Sequence, residues 1–187
     1  MNQGAPRHPE FPILANLRAD GPHLLMRDKL EAFGQFVGTW DMSVEFYDDG
    51  GNCIYREPGE WAFAWVLDGR AIQDVLTYPR ADETGVVRGI GTSLRFYDRR
   101  SDVWQVIWLG AVTGIIVVLS GGPDSENIRL EGPDPDGTLN RWVFTEITTQ
   151  RFVWKGFESR DGGNTWLLQQ LMIGARRDRI LPGASLP

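Results

Sequence analysis

From Gly38 onward the chain alternates apolar and polar residues with a period of two, interrupted at short intervals by glycine, aspartate, asparagine and proline. Thr39–Tyr47 sets Trp40, Met42, Val44 and Phe46 against Asp41, Ser43, Glu45 and Tyr47. Glu60–Leu67 repeats the pattern, with Trp61, Phe63, Trp65 and Leu67 opposite Ala62, Ala64 and Val66. The same reading predicts strands at Arg70–Tyr78, Val87–Tyr97, Val103–Leu109, Gly114–Ser120, Asn127–Glu131, Leu139–Thr148, Phe152–Glu158 and Trp166–Ala175. Between them lie turn-forming stretches such as Asp98-Arg99-Arg100-Ser101-Asp102 and Gly132-Pro133-Asp134-Pro135-Asp136-Gly137. Asp68-Gly69 predicts a two-residue type I′ hairpin, which needs positive φ at both centres. About ten successive strands in one open sheet would leave long bare edges, and closure removes them. The expected fold is therefore all-β, a single antiparallel up-and-down β-barrel of about ten strands. A two-sheet sandwich is the other arrangement this alternation could build.

Ahead of the barrel the period changes. Leu25, Lys29, Ala32, Phe33 and Phe36, flanked by Leu30 and Val37, follow helical spacing, and Gly38 supplies a stop. A short N-terminal helix of about three turns is expected there. Residues 1–23 carry four of the 11 prolines and no periodicity, and read as an extended arm. The domain division is thus an arm at 1–23, helix plus barrel at 24–178, and a tail at 179–187.

Composition adjusts this picture in a few places. A net charge of −6 over 187 residues disfavours nonspecific attraction to nucleic acid or anionic lipid, so neither is expected as a partner. The longest apolar run, Ala111 to Leu119, is about half of the ~20 residues a membrane span needs. No export signal is read at the N-terminus, and a single cysteine, Cys53, fits a reducing compartment; a cytoplasmic protein is expected. Two counts stand out, 22 Gly and 8 Trp. Gly89, Gly91, Gly114, Gly156 and Gly174 fall inside expected strands and read as bends at barrel corners.

Phe36-Val37-Gly38-Thr39-Trp40 places Gly-x-Trp between a short helix and the first strand. This resembles the start of lipocalins and their calycin relatives, in which the Trp plugs the closed end and an Arg late in the last strand partners it. Arg176 or Arg177 stands at the matching place here. Gly59-Glu60-Trp61, Val66 to Val75 and Ser159 to Trp166 are similar to stretches of uncharacterised bacterial lipocalin-like domains, of the fatty-acid-binding-protein and nitrobindin-like kind. The resemblance spans roughly residues 30–178 and implies a calycin barrel with no settled activity. Nitrobindin-like barrels hold haem through a late histidine, whereas this chain has only His8 and His23. With no His/Cys cluster and no EF-hand spacing, no metal and no cofactor is expected.

Polar residues embedded in apolar strands are the remaining candidates for chemistry. Arg70, Asp74 and Tyr78 share one face of the third strand; Arg95 and Tyr97 share a face; Glu146 shares one with Trp142 and Phe144; Gln170 lies between Leu168 and Met172. Pointing inward, these would furnish an aromatic cavity with a few fixed polar groups, the usual anatomy of a small-molecule site. Pointing outward, they would be solvated surface pairs. Trp61, Trp65, Trp104 and Trp108 form i, i+4 pairs that either fill the barrel or line a pocket for a flat ligand. Left on an outer face, such a row would mark a homodimer. Two functions follow. In the first the barrel binds a small hydrophobic or aromatic molecule through Trp61, Trp65, Tyr78, Arg95, Trp108 and Gln170. In the second, a cofactor-independent cyclase, isomerase or hydratase uses Asp74 and Glu146, with Arg70, for acid–base chemistry. His23 could serve such an enzyme as a proton shuttle at the barrel mouth.

Overall fold

The computed structural model describes residues 17–82 and 85–177, with position 13; most of the expected arm and the 179–187 tail lie outside the described residues. Ten antiparallel strands close into a barrel in chain order. They are β1 (Gly38–Tyr47), β2 (Cys53–Val66), β3 (Ala71–Asp82), β4 (Gly85–Asp98), β5 (Val103–Gly110), β6 (Ile115–Asp124), β7 (Asn127–Pro133), β8 (Leu139–Thr145), β9 (Arg151–Ser159) and β10 (Leu167–Arg176). The circuit is completed by β1 on β10, with Trp40 opposite Arg176 and Phe46 opposite Gln170. This is the up-and-down barrel the alternation predicts, and the closed circuit excludes a sandwich. Strands β2 and β3 run past the limits the alternation implied. In β2 the added residues Cys53–Gly59 are mostly exposed, so the ladder continues there without an apolar pattern.

A 3-10 turn (Leu24–Met26) leads into helix α1 (Arg27–Gly34), which is shorter than the sequence suggested. Met26, at φ −129° and ψ 7°, breaks the phase between them. As a result the buried stripe is Met26, Leu30, Phe33 and Phe36, while Leu24 and Leu25 are 82% and 86% exposed. Two tight bonds end the helix, Phe36 N–H to Phe33 O and Val37 N–H to Gly34 O, both 3.1 Å. That geometry drives Phe33 and Phe36 into one end of the barrel. Phe33 meets Trp104 at 4.8 Å between ring centroids, and Phe36 meets Phe144 and Phe152 at 5.0 Å.

Trp40 completes this plug. Its indole N–H donates to Phe36 O at 2.8 Å, and Arg176 stacks over its ring at 4.1 Å. The same guanidinium donates to the carbonyls of Val37 (2.9 Å), Gln35 (2.6 Å) and Thr149 (2.6 Å). One side chain thereby ties the helix exit, the last strand and the β8–β9 turn together. A Cβ on Gly38, at φ +135°, would lie 2.7 Å from Arg176 Nη1, which explains the glycine of Gly-x-Trp. Arg177 instead pairs with Asp41 and Glu60 on the outside.

The in-strand glycines act differently from the expectation of barrel corners. At Gly156 and Gly174 a Cβ would lie 2.6 Å from the Trp154 ring and 2.7 Å from the Phe152 ring, and at Gly91 it would collide with the Trp108 ring. They are slots for aromatic rings. Gly114 is not in a strand at all but in the β5–β6 turn, at φ +70°. The connection at Asp68-Gly69 also differs: Leu67, Asp68 and Gly69 all have positive φ, making a longer turn. The incoming chain needs that shape, because Ala19 N–H bonds Trp65 O (3.1 Å) and His23 N–H bonds Gly69 O (2.9 Å). Outward on β3–β6 the exposed apolar side chains are mostly aliphatic, among them Val75, Ile90, Leu109, Ile116 and Val118, with Phe96 beside them; no tryptophan row lies there.

Replacing Arg176 with Ala removes the stack and three charge-assisted bonds, and should cost about 2–4 kcal/mol in urea unfolding followed by circular dichroism. Arg176→Lys should recover little, since an ammonium cannot stack and fork to three carbonyls. Arg177→Ala should barely move the midpoint. A wild-type midpoint for Arg176→Ala would show that the plug is held some other way.

Candidate functional site

The interior divides into a sealed half beside the helix and an open half beyond it. Asp74 on β3 and Arg95 on β4 occupy the sealed half, each fully out of solvent, and their side chains form an ion pair between Nη1 and Oδ2. The other Asp74 oxygen accepts the Ser93 backbone N–H at 3.1 Å. Arg95 is boxed by rings: its guanidinium carbon lies 5.4 Å from Phe33 and Phe63, 5.7 Å from Trp61 and 6.0 Å from Phe144. Burial pushes its pKa down to about 9, which leaves it protonated at neutral pH. Removing a charge pair from water costs several kcal/mol, offset here by mutual attraction and by the negative faces of the rings.

Beyond Trp61 lies a cavity of about 200 Å³, reaching the surface at the end that carries the β5–β6 turn. Four indoles form much of its wall, in edge-to-face contact: Trp108 to Trp142 at 6.3 Å, Trp142 to Trp154 at 5.4 Å and Trp154 to Trp61 at 6.3 Å. Each comes from an inward position of its strand, and the slots at Gly91 and Gly156 let two of the rings lie against the barrel wall. Tyr78 and Gln170 add polar groups, and among the described residues lining the cavity there is no carboxylate, imidazole, amine or guanidinium. Buried indole N–H groups on Trp61 and Trp154 have no hydrogen-bond partner among the described residues.

Of the residues singled out in the sequence, Trp61, Tyr78, Trp108 and Gln170 come together on this cavity. Arg95 and Asp74 point inward too, but lie beneath it and do not line it. Trp65 packs on Gly34 of α1, at the closed end. The acid–base trio is not assembled. Arg70 lies in the β2–β3 turn, not in a strand, and its Nη2 meets His23 Nε2 at 2.7 Å. His23 is therefore at the closed end rather than over the cavity mouth. Strand β8 stops at Thr145, so the strand parity that put Glu146 beside Phe144 lapses; Glu146, at φ +52°, is exposed and pairs with Arg151. Reading the sequence for polar residues passed over Trp142 and Trp154 as lining residues. Alternation alone already placed Trp142 on the face of Phe144, and Trp154 pairs with Phe144 across β8–β9.

No family model matches the chain, and no curated protein matches its sequence. Among solved structures it is similar to the S-type phycobiliprotein lyase CPES from Guillardia theta, with a TM-score of 0.55 at 12% identity, over 79% of this chain and 92% of that one. It is also similar to EF1p2_mFAP2b, solved bound to DFHBI, at 12% identity over 80% of this chain and 99% of that one, with a TM-score of 0.40. Together with the closed ten-strand circuit, the first likeness shows a calycin-like fold, as the Gly-x-Trp plug implies. At this identity the likeness speaks for fold alone. No helix among the described residues is long and apolar enough to cross a membrane.

Asp74→Asn and Arg95→Met should each destabilise the protein by about 3–5 kcal/mol, because each leaves a buried partner uncompensated. The pair Asp74→Leu with Arg95→Met should recover most of that loss in urea titrations. A double variant no more stable than the worse single one would mean that the two charges are not coupled as described.

Proposed function

We propose that this chain is a binding protein, and that the open half of its barrel holds a small, flat, predominantly apolar molecule. The observation that carries this reading is the row of four indoles around one cavity at the open end of an otherwise filled barrel. Ligand sites are concave, mostly apolar and furnished with few polar groups, and the lining here matches that description. Its volume of about 200 Å³ is below the usual range for drug-sized ligands and equals the space of about seven liquid waters, which suits one or two fused rings. CPES, similar to this chain in fold, is named an S-type phycobiliprotein lyase. Binding is favoured over acid–base catalysis because Asp74 is held by Arg95 below the cavity and Glu146 is paired at the surface.

Titration with one- and two-ring aromatic compounds should quench or shift the tryptophan emission saturably. Gly91→Ala, which drives the Trp108 ring out of its slot, should weaken that binding at least tenfold while circular dichroism still shows a folded barrel. Unchanged emission and no calorimetric heat across such a panel would sink the binding function.

A further inference from the structure

We infer that the outward face of the β5–β6 hairpin, with its neighbours β3 and β4, is the interface with a second copy of this chain. Across these four strands one row of outward positions reads Val75, Thr92, Leu109 and Ile116. The next row reads Gln73, Leu94, Ile107 and Val118. Neither row holds a charge, and Ile90 and Phe96 extend the apolar surface along β4 on either side. Outward positions elsewhere are charged, as at Asp41 on β1, Arg129 and Glu131 on β7, and Arg151 and Lys155 on β9. The sequence shows why this hairpin differs: no residue from Val103 to Pro123 is charged. Trp104, Val106, Val117 and Leu119 face the core, and a second apolar set is left for the outside. Contiguous exposed apolar surface of this kind marks an interaction site.

The uncharged character of the face fits it to its own copy. Residues near a twofold axis meet their equivalents, so a charge there would meet a like charge. A face built for a different protein is free to carry charges matched by opposite ones. Extent agrees: four strands about 4.8 Å apart and four residue rows about 6.8 Å apart give about 500 Å² before side-chain relief is counted. With the β5–β6 turn added, this approaches the roughly 800 Å² per partner of a standard interface. The rim is polar and its charges are paired, Arg177 with Asp41 and Glu60 on one side, Arg129 and Arg141 with Glu131 on the other. A lipid surface is the poorer match, because a net charge of −6 repels anionic headgroups. Toward the turn the face meets the cavity rim, where Ile90 and Ile115 belong to both, so the second copy stands beside the cavity mouth.

Sedimentation velocity of the full chain tests this. The protein should sediment as a dimer at about 50 µM. Raising salt from about 0.05 to about 0.5 M should leave the association as tight or tighter, since no charge bridges the face and the repulsion between two acidic copies is screened. Ile116 and Val118 are 59% and 51% exposed, so Ile116→Lys and Val118→Lys leave the core untouched. Each counts twice in an isologous contact and should weaken association at least about a hundredfold, with the circular dichroism spectrum and urea midpoint kept. Lys155→Gln, on β9, should leave the dimer intact. Should a lysine variant fail to fold, Leu109→Gln, which adds no charge, replaces it. A monomer at every concentration up to about 200 µM would overturn the inference. So would a dimer that survives both lysine variants, or one that loosens about tenfold in high salt. A monomer that floats with phosphatidylcholine vesicles, and stops doing so on Ile116→Lys, would assign the face to a lipid surface instead.

Discussion

A guanidinium with no route to water dictates how this barrel is filled. Arg95 is fully buried on β4, and the neighbouring strand supplies its counter-charge in Asp74. Its remaining surface has to be met by something other than solvent, and the four surrounding rings present their electron-rich faces to it. Those rings come from α1, β2 and β8, so a single buried charge recruits side chains from across the molecule. The half of the barrel that contains it is consequently dry and packed, and open volume is confined to the other half.

The helix and the Arg176 plug protect that arrangement. Phe33 belongs both to the helix and to the box around Arg95, so undocking the helix would expose the ion pair. Arg176 holds the helix exit through backbone carbonyls and the Trp40 ring, a contact that exists only once β10 has closed on β1. Closure of the barrel, docking of the helix and burial of the charge thus depend on one another, which favours a cooperative native state.

Aromatic rings and glycines are distributed as complements. Where a ring lies flat on the wall, the position beneath it is a glycine, as at Gly91 under Trp108, Gly156 under Trp154 and Gly174 under Phe152. Part of the glycine excess thus answers the tryptophan excess: these broad rings fit the lumen because neighbouring positions carry no side chain. In the sealed half the rings meet one another and a cation. In the open half they meet the cavity, and two of their N–H groups are buried without a partner among the described residues.

Period-two alternation was enough to foretell about ten strands, their antiparallel order and which residues share a face, because side-chain direction in a strand is set locally by the pleat. The plug was expected on other grounds, the resemblance of Gly-x-Trp and a late arginine to lipocalins, which left Arg176 and Arg177 as alternatives. Parity also grouped Asp74 with Tyr78 on one strand face and Trp104 with Trp108 on another, and left open whether those faces point inward. It could not say how far along the barrel axis each one sits, and that height separates the ion pair from the cavity lining. Nor could it detect that β8 ends one residue before Glu146 or that Arg70 falls in a turn, since both breaks follow positive-φ backbone, at Glu146 and at Leu67–Gly69, that alternation does not reveal. Strand parity is a property of neighbouring residues and is written in the sequence; the pairing of charges and the boundary between filled and open lumen depend on which residues distant in the chain arrive at the same level, and only the closed barrel decides that.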